Sequence, residues 1–279
     1  MAMFVMIDIG GTKTRIGCAH DFEGLSAVEI FPTPRAYSEG LGALVEVVKK
    51  IGGGMLTGIA LGAPGVLSQD KRRILNVSNL TDWNGAALAD DLEAALGAPA
   101  IMENDTALVG LGEATIGAGK GADIVAYVTI STGVNGARVV DGALDRAAFG
   151  FEIGGQLLGR DASASTLEEL VSGRAIEERF GAPPATLGKE HPVWEELAEI
   201  VAVGLHNTIA YWSPERIVLG GSMMGEVGIP FDRIEAHLER LKSKNPIVPE
   251  IVSATLGDLG GLWGGLVRLR PLSSSTTLM

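Results

Sequence analysis

The chain has one cysteine, Cys18, in 279 residues. That excludes an intrachain disulfide and a cysteine-ligated zinc site. Positive charge is also scarce, with 22 Lys and Arg against 34 Asp and Glu, a net charge of −12 and a pI near 4.8. No run of Lys and Arg of the nucleic-acid type appears, and an acidic surface repels phosphate backbones, so a nucleic-acid partner is not expected. The four histidines (20, 191, 206 and 237) lack metal-ligand spacing, and His206 falls in a mostly apolar helical stretch as a structural residue. No segment offers ~18 uninterrupted apolar residues, the length a membrane span needs. The first apolar run has no basic flank and is broken by Asp8, unlike a secretory signal. A cytoplasmic, soluble chain without a membrane partner is the expectation.

What is present is apolar residues and glycine. Hydrophobic residues make up 46%, enough for a sizeable core, and the length fits two modest domains or one large one. The 39 glycines follow no collagen-like period, so they imply tight turns between short elements. The stretch Val5-Met6-Ile7-Asp8-Ile9-Gly10-Gly11-Thr12-Lys13-Thr14-Arg15-Ile16-Gly17 is the most informative. It reads as a buried strand, a glycine turn and a second strand. Backbone N–H groups at such a turn, with Thr12, Thr14 and the Lys13 cation, make a phosphate cradle. Asp8 stands beside it, where a carboxylate can hold Mg²⁺ through water. Taken alone, a hairpin with a solvated lysine explains the same residues.

In chain order, 3–9, 14–20 and 26–31 read as an antiparallel meander closed by Pro32 and Pro34. A helix is expected over 38–51, stopped by Gly52 to Gly54, then a strand over 55–62 closed by Ala63-Pro64-Gly65. Asn76 to Gly85 reads as a polar loop, followed by a helix over 86–96, a strand over 100–102 and a helix over 106–114. A second block repeats the opening: strand 124–130, turn Ser131-Thr132-Gly133, strand 134–140 and hairpin turn Asp141-Gly142. Helices at 166–180 and 192–212, a strand at 216–219, a helix at 230–242, a strand at 250–254 and a helix at 259–270 complete the pattern, with 271–279 a frayed tail. Strands alternating with helices, with a meander opening each half, imply two mixed-sheet α/β domains with a cleft between them and a topological duplication. The expected domains are 1–112 and 113–258, with helix 259–270 returning to the first.

Four segments at strand ends or turns stand out as chemistry. Asp8 to Thr14 and Ser131 to Gly133 suit phosphate, Gly220-Gly221-Ser222 lets a base or ribose lie flat on backbone, and Asn104-Asp105 stands where a general base would. Each has a plainer account. Asp105 fits an N-cap of the following helix, and the other three fit ordinary turns.

Their order and spacing decide the matter. The stretches DIGGTKTRIG, GAPGVL, NVSNLTDWNG, MENDTALVGLGE, VTISTGVNGARVVDGAL, FEIGG, PERIVLGGS and LGDLGGLWGGL span nearly the whole chain. In that order the sequence resembles the ROK family of bacterial sugar kinases. The resemblance implies a two-domain actin-like/hexokinase (ribonuclease H-like) ATPase fold. It also implies an ATP-dependent, glucokinase-like phosphotransferase acting on a sugar alcohol group, a sugar and Mg-ATP as partners, and a homodimer. By position, Asp8, Gly10, Gly11, Thr12 and Lys13 match the first phosphate motif, Thr132 and Gly133 the second, and Gly220 and Gly221 the adenosine motif. Asp105 matches the catalytic base; Gly65, Asn79, Asn104, Glu152 and Glu168 match sugar-binding positions.

The sequence also departs from the family. Many members carry Glu-x-Gly-His followed by a zinc-binding cysteine cluster; Glu152-Ile153-Gly154-Gly155 lacks the histidine, and no cysteine falls in 156–180. Structural zinc is therefore not expected, and the sugar is left open among glucose, mannose, fructose and N-acetylmannosamine. Ser131 and Asn135 stand where glycines are common. No helix-turn-helix precedes residue 3, which disfavours the repressor branch. Three rivals stay open: a non-catalytic sugar sensor, an actin-like assembly ATPase, and a kinase using polyphosphate as donor.

Overall fold

The computed structural model describes residues 2–274 other than 52, 162 and 245. By contact density the chain divides into two compact units, one of residues 1–116, 146–150 and 256–279, the other of 117–145 and 151–255. No helix among the described residues is long and apolar enough to cross a membrane.

The first unit begins with β1 (Ala2–Ile9), β2 (Lys13–Ala19) and β3 (Ala27–Pro32), the antiparallel meander expected from the sequence. Helix α1 (Tyr37–Ile51) crosses to β4 (Met55–Ala63), which pairs with β1 in parallel. A short ribbon, β5 (Val66–Leu67) and β6 (Ile74–Asn76), interrupts the loop before α2 (Leu88–Leu96). The sheet closes with β7 (Ala100–Asn104), parallel to β4, and runs directly into α3 (Asp105–Thr115). Its order is β3-β2-β1-β4-β7.

The second unit repeats this plan. Strands β8 (Ile124–Ile130), β9 (Val134–Val140) and β10 (Ala143–Leu144) form its meander. Helices α4 (Leu167–Val171), α5 (Gly173–Phe180) and α6 (Val193–Trp212) precede β11 (Arg216–Gly220), and α7 (Phe231–Leu241) precedes β12 (Glu250–Ser253). The order is β10-β9-β8-β11-β12, the same connection pattern as in the first unit. Its core joins Ala126, Val128 and Ile130 of β8 to Leu197, Val201 and Leu205 of α6.

The single helix expected over 166–180 is two. Ser172 sits between them in an extended conformation (φ −68°, ψ 154°), and its hydroxyl accepts the Ala175 N–H of the next helix. The N–H groups of Gly173 and Arg174 donate to Ser131 and Thr132 carbonyls of the β8–β9 turn rather than to a preceding helical turn. An unbroken helix would leave those carbonyls without these donors.

The chain then returns to the first unit as α8 (Gly260–Ser274). Of the tail expected to fray from 271, residues 275–279 lie outside the described residues. Side chains of a strand alternate between faces, and β1 is buried on both. Met3, Val5, Ile7 and Ile9 join the core with Leu44 and Val48 of α1 and with Leu88 and Leu92 of α2. Phe4 and Met6 pack on the other face with Leu262, Leu266 and Leu269 of α8. Asp8 continues that second row. A Cβ on Gly265 would lie 3.0 Å from Met6 Cγ, and one on Gly261 would lie 2.7 Å from Asp8 Cγ. Two strand residues (~6.6 Å) match four helix residues (~6 Å), so Asp8 falls at the first turn of α8.

Candidate functional site

The first unit gathers one group of residues around the C-terminal ends of β1, β4 and β7. In the β1–β2 turn, Gly10 N–H donates to Lys13 O (3.0 Å). Thr33 then pins the turn from outside: its N–H reaches Thr12 O (3.0 Å) and its hydroxyl donates to Gly10 O (2.7 Å). Having one hydroxyl proton, Thr33 accepts from Thr14 (2.9 Å). Thr14 is therefore a buried brace (1% exposed) and not a donor toward a phosphate, a correction to the sequence reading. Thr12 and Lys13 are exposed, and Lys13 makes no ion pair among the described residues. Neither Gly10 nor Gly11 has positive φ. At Gly11 the need is for space, since a Cβ would stand 1.8 Å from Asn79 Nδ2. Asn79 thereby lies against the glycine turn.

Asp8 is 7% exposed. Arg15, its cross-strand partner, is 3.7 Å away and also bonds Asp258 at 3.1 Å. Burial pushes the Asp8 pKa up to about 6; Arg15 pulls it down, and Asp258 adds a further upward push. The sign of its effect follows from linkage. The folded value lies above the unfolded 3.8, so between about pH 4 and 6 the folded state binds the proton more tightly. Stability therefore falls as pH rises through that window. The cost of the buried charge is on the order of 3 kcal/mol above pH 6. Asp8→Asn is expected to lack this decline: urea midpoints at pH 4.5 and pH 7 should differ less in the variant than in the wild type.

Asn104 and Asp105 meet this group from β7 and α3. Asn104 is the N-cap of α3, accepting Ala107 N–H at 3.3 Å, while its amide donates to Gly65 O at 3.1 Å. The cap is thus Asn104, and Asp105 is the first helical residue, with Oδ1 accepting Thr106 N–H at 2.7 Å. Gly65 has φ +79°, and a Cβ there would strike Asn76 O at 2.1 Å, a conformation and approach only glycine tolerates. Gly62 joins the two acids, since a Cβ on it would be 3.4 Å from both Asp105 Cα and Asp8 Oδ1. Behind them, buried Glu103 is held by Lys71 (2.5 Å) and by Arg268 of α8 (3.1 Å).

The second unit carries its own group. The turn Ser131-Thr132-Gly133 closes with Ser131 N–H on Gly133 O (2.8 Å). Gly221 (φ +98°) lies so close that a Cβ would be 2.2 Å from Ile130 O, and Ser222 Oγ is 3.4 Å from Ser131 Oγ. A Cβ on Gly220 would meet the Tyr127 hydroxyl at 2.7 Å. The two glycine turns of this unit are therefore adjoining. Glu168 reaches the same place: its Oε2 accepts Val134 N–H at 2.8 Å and would be 2.7 Å from a Gly133 Cβ. Glu152 precedes the 3-10 turn Ile153–Gly155, and burial and the Glu168 charge push its pKa up. Nothing lies within 4 Å of a Cβ built on Gly155. Among the described residues, no three His, Cys, Asp or Glu side chains group as a metal site.

Sequence reasoning missed Arg15 and Asp258, which flank Asp8, and Arg174, whose Nη2 donates to Glu168 Oε1 at 2.7 Å. The first was legible: a hairpin pairing Ile9 with Thr14 must pair Asp8 with Arg15. Asp258 comes from a distant segment, and no local pattern marks it or Arg174.

The sequence profile of the ROK family matches residues 4–269. The glucokinase of Streptomyces coelicolor is 27% identical over 309 aligned positions, covering 95% of this chain and 96% of the relative. A ROK hexokinase from Thermus thermophilus superposes with a TM-score of 0.80 at 26% identity, covering 95% of this chain and 97% of that one. A ROK family glucokinase from Streptomyces griseus, solved in complex with glucose and AMPPNP, gives a TM-score of 0.79 at 26% identity, covering 95% and 98%.

Proposed function

This chain belongs to the ROK family, with its actin-like/hexokinase fold, and we propose that it is an ATP-dependent hexose kinase. Sugar kinase is the class its kinship gives. The proposed reaction moves the γ-phosphate of Mg-ATP to a sugar hydroxyl, the 6-OH, of a glucose, mannose or N-acetylmannosamine type of substrate. The observation that carries the reading is the meeting of Asp8 and Asp105 at Gly62. A buried acid beside a glycine turn and a second acid at a helix start are brought to one end of one sheet.

A sugar hydroxyl is a weak nucleophile, and Asp105 is the base that accepts its proton as the oxygen attacks the γ-phosphorus. The carboxylate stands at the positive end of the α3 dipole. Asn104 holds that helix start to Gly65 and so fixes the base in place. Asn79, Asn104, Gly65, Glu152 and Glu168 are the proposed sugar contacts, their amides and carboxylates suiting hydroxyls that both donate and accept. The backbone of Gly10 and Gly11, with Thr12 and Lys13, is proposed to hold phosphate, as are Thr132 and Gly133, while Gly220 and Gly221 lie under the adenosine. Asp8 offers hard oxygen donors that fit Mg²⁺ and would hold it through water. The ion, when bound, neutralises charge on the phosphates. Structural zinc has no part in this reading, since Gly155 and the cysteine-free 156–180 supply neither the histidine nor the cysteines of such a site.

The test is sugar-phosphate formation over a panel of hexoses and N-acetylhexosamines with ATP or with polyphosphate as donor, the ATP arm also read as ADP release. ATP-dependent release with at least one sugar is expected. Sugar binding by calorimetry without phosphorylation from either donor would replace the kinase with a sensor.

A further inference from the structure

The turn Ser131-Thr132-Gly133 contains no cation, and its surroundings are acidic. Glu168 lies on it, with Oε2 on the Val134 N–H, and Glu152 is close enough for the Glu168 charge to affect its titration. The nearby start of α5 cannot serve an anion through its backbone. The N–H groups of Gly173, Arg174 and Ala175 are taken by Ser131 O, Thr132 O and Ser172 Oγ. A phosphate brought to this turn therefore needs a cation from a side chain.

Arg174 supplies one. Its backbone N–H on Thr132 O (3.3 Å) roots the residue at the turn. One guanidinium nitrogen, Nη2, donates to Glu168 Oε1 at 2.7 Å, and the side chain is half exposed. A guanidinium has five N–H donors in a planar fork, so the edge turned from Glu168 keeps donors for a second anion. We propose that Arg174 binds the phosphate chain of the nucleotide donor, with Glu168 as the carboxylate that aims it. This rests on the reading of the 131–133 turn as a phosphate site. Arg fits such a role better than Lys because its fork matches two phosphate oxygens at once.

The experiment compares wild type, Arg174→Ala, Arg174→Lys and, as a control, Arg179→Ala. Arg179 lies further along α5 and pairs with exposed Glu196. Kinetics are measured with ATP varied at saturating hexose and with hexose varied at saturating ATP, and AMPPNP binding is measured by calorimetry. In Arg174→Ala the KM for ATP and the Kd for AMPPNP are expected to rise about tenfold while the hexose KM moves less than twofold. Arg174→Lys should fall between, and Arg179→Ala should match wild type. Undiminished AMPPNP binding in Arg174→Ala, or a change confined to the hexose KM, overturns the inference and leaves Arg174 as a brace for Glu168. A wild-type chain that phosphorylates no hexose, yet binds AMPPNP tenfold more tightly than Arg174→Ala, upholds it while the kinase reading fails. A wild-type chain that binds no nucleotide overturns both.

Discussion

Asp105→Ala is expected to lower kcat by roughly 10²- to 10⁴-fold, the usual contribution of a positioned general base, with little change in melting temperature. The structural reason for the second half is the division of labour at the start of α3. Asn104, not Asp105, caps the helix and ties it to Gly65. Asp105 Oδ1 accepts Thr106 N–H, and a single such bond contributes about 0.5–1.5 kcal/mol. Asp105→Asn keeps that acceptor and the side-chain volume but not the basicity, so it should be as inactive as the alanine variant and melt with the wild type. Coupled ADP release and a thermal melt on each variant make the check. An asparagine variant with wild-type kcat would remove Asp105 from the chemistry.

Gly264→Ala is expected to give the largest loss of stability. A Cβ on Gly264 would lie 1.7 Å from Leu108 O and 2.5 Å from Leu108 C. Those atoms are helix backbone, so no side-chain rotation relieves the overlap, and α3 and α8 must part. Gly112 faces the same crossing, where a Cβ would be 2.7 Å from Gly260 O. Overpacking of this kind costs about 1–3 kcal/mol and at times more. At 2–4 °C per kcal/mol, a loss of ~3 kcal/mol lowers the melting temperature by roughly 6–12 °C. Activity should fall with it, because α3 begins at Asp105 and α8 packs on Asp8. Gly42→Ala in α1 is the control. Its added Cβ meets nothing within 4 Å, and alanine favours the helix by about 0.5–1 kcal/mol, so its melt should be equal or higher. A Gly264→Ala melt equal to that of Gly42→Ala would show that the two helices have room to spare.

The strands and turns that place the candidate site were legible because each apolar run stops at a turn of small, polar or proline residues. Ile9 and Ile130 end their strands where the sequence says they should, and β11 runs one residue past the expected 219, to Gly220. Less was legible where hydrogen bonds cross long distances. Apolar spacing continues from Leu167 through Val171 to Ile176, so nothing local announces that Ser172 divides the helix for the sake of a turn some forty residues earlier. The ribbon β5–β6 is too short for any periodicity to show. Thr14 reads as a ligand donor by type, yet it shares a strand face with buried Ile16 and Cys18, and that period of two points it inward. Glu168 matched a sugar position by resemblance. Its hold on Val134 N–H, 34 residues away, is made by the tertiary fold and leaves no local mark.

The route of the chain through the first unit has a consequence for biosynthesis. Residues 256–274 supply Leu262, Leu266 and Leu269, which cover the Phe4 and Met6 face of β1. During translation that face is made early and its cover emerges only after the whole of 151–255. The inserted unit can acquire its own core on the ribosome, while the earlier-made sheet waits with apolar side chains bare. Nascent chains stalled before Gly260 are thus the ones that chaperones should bind most avidly, and the helix that completes the Asp8 environment is also the last segment to reach it.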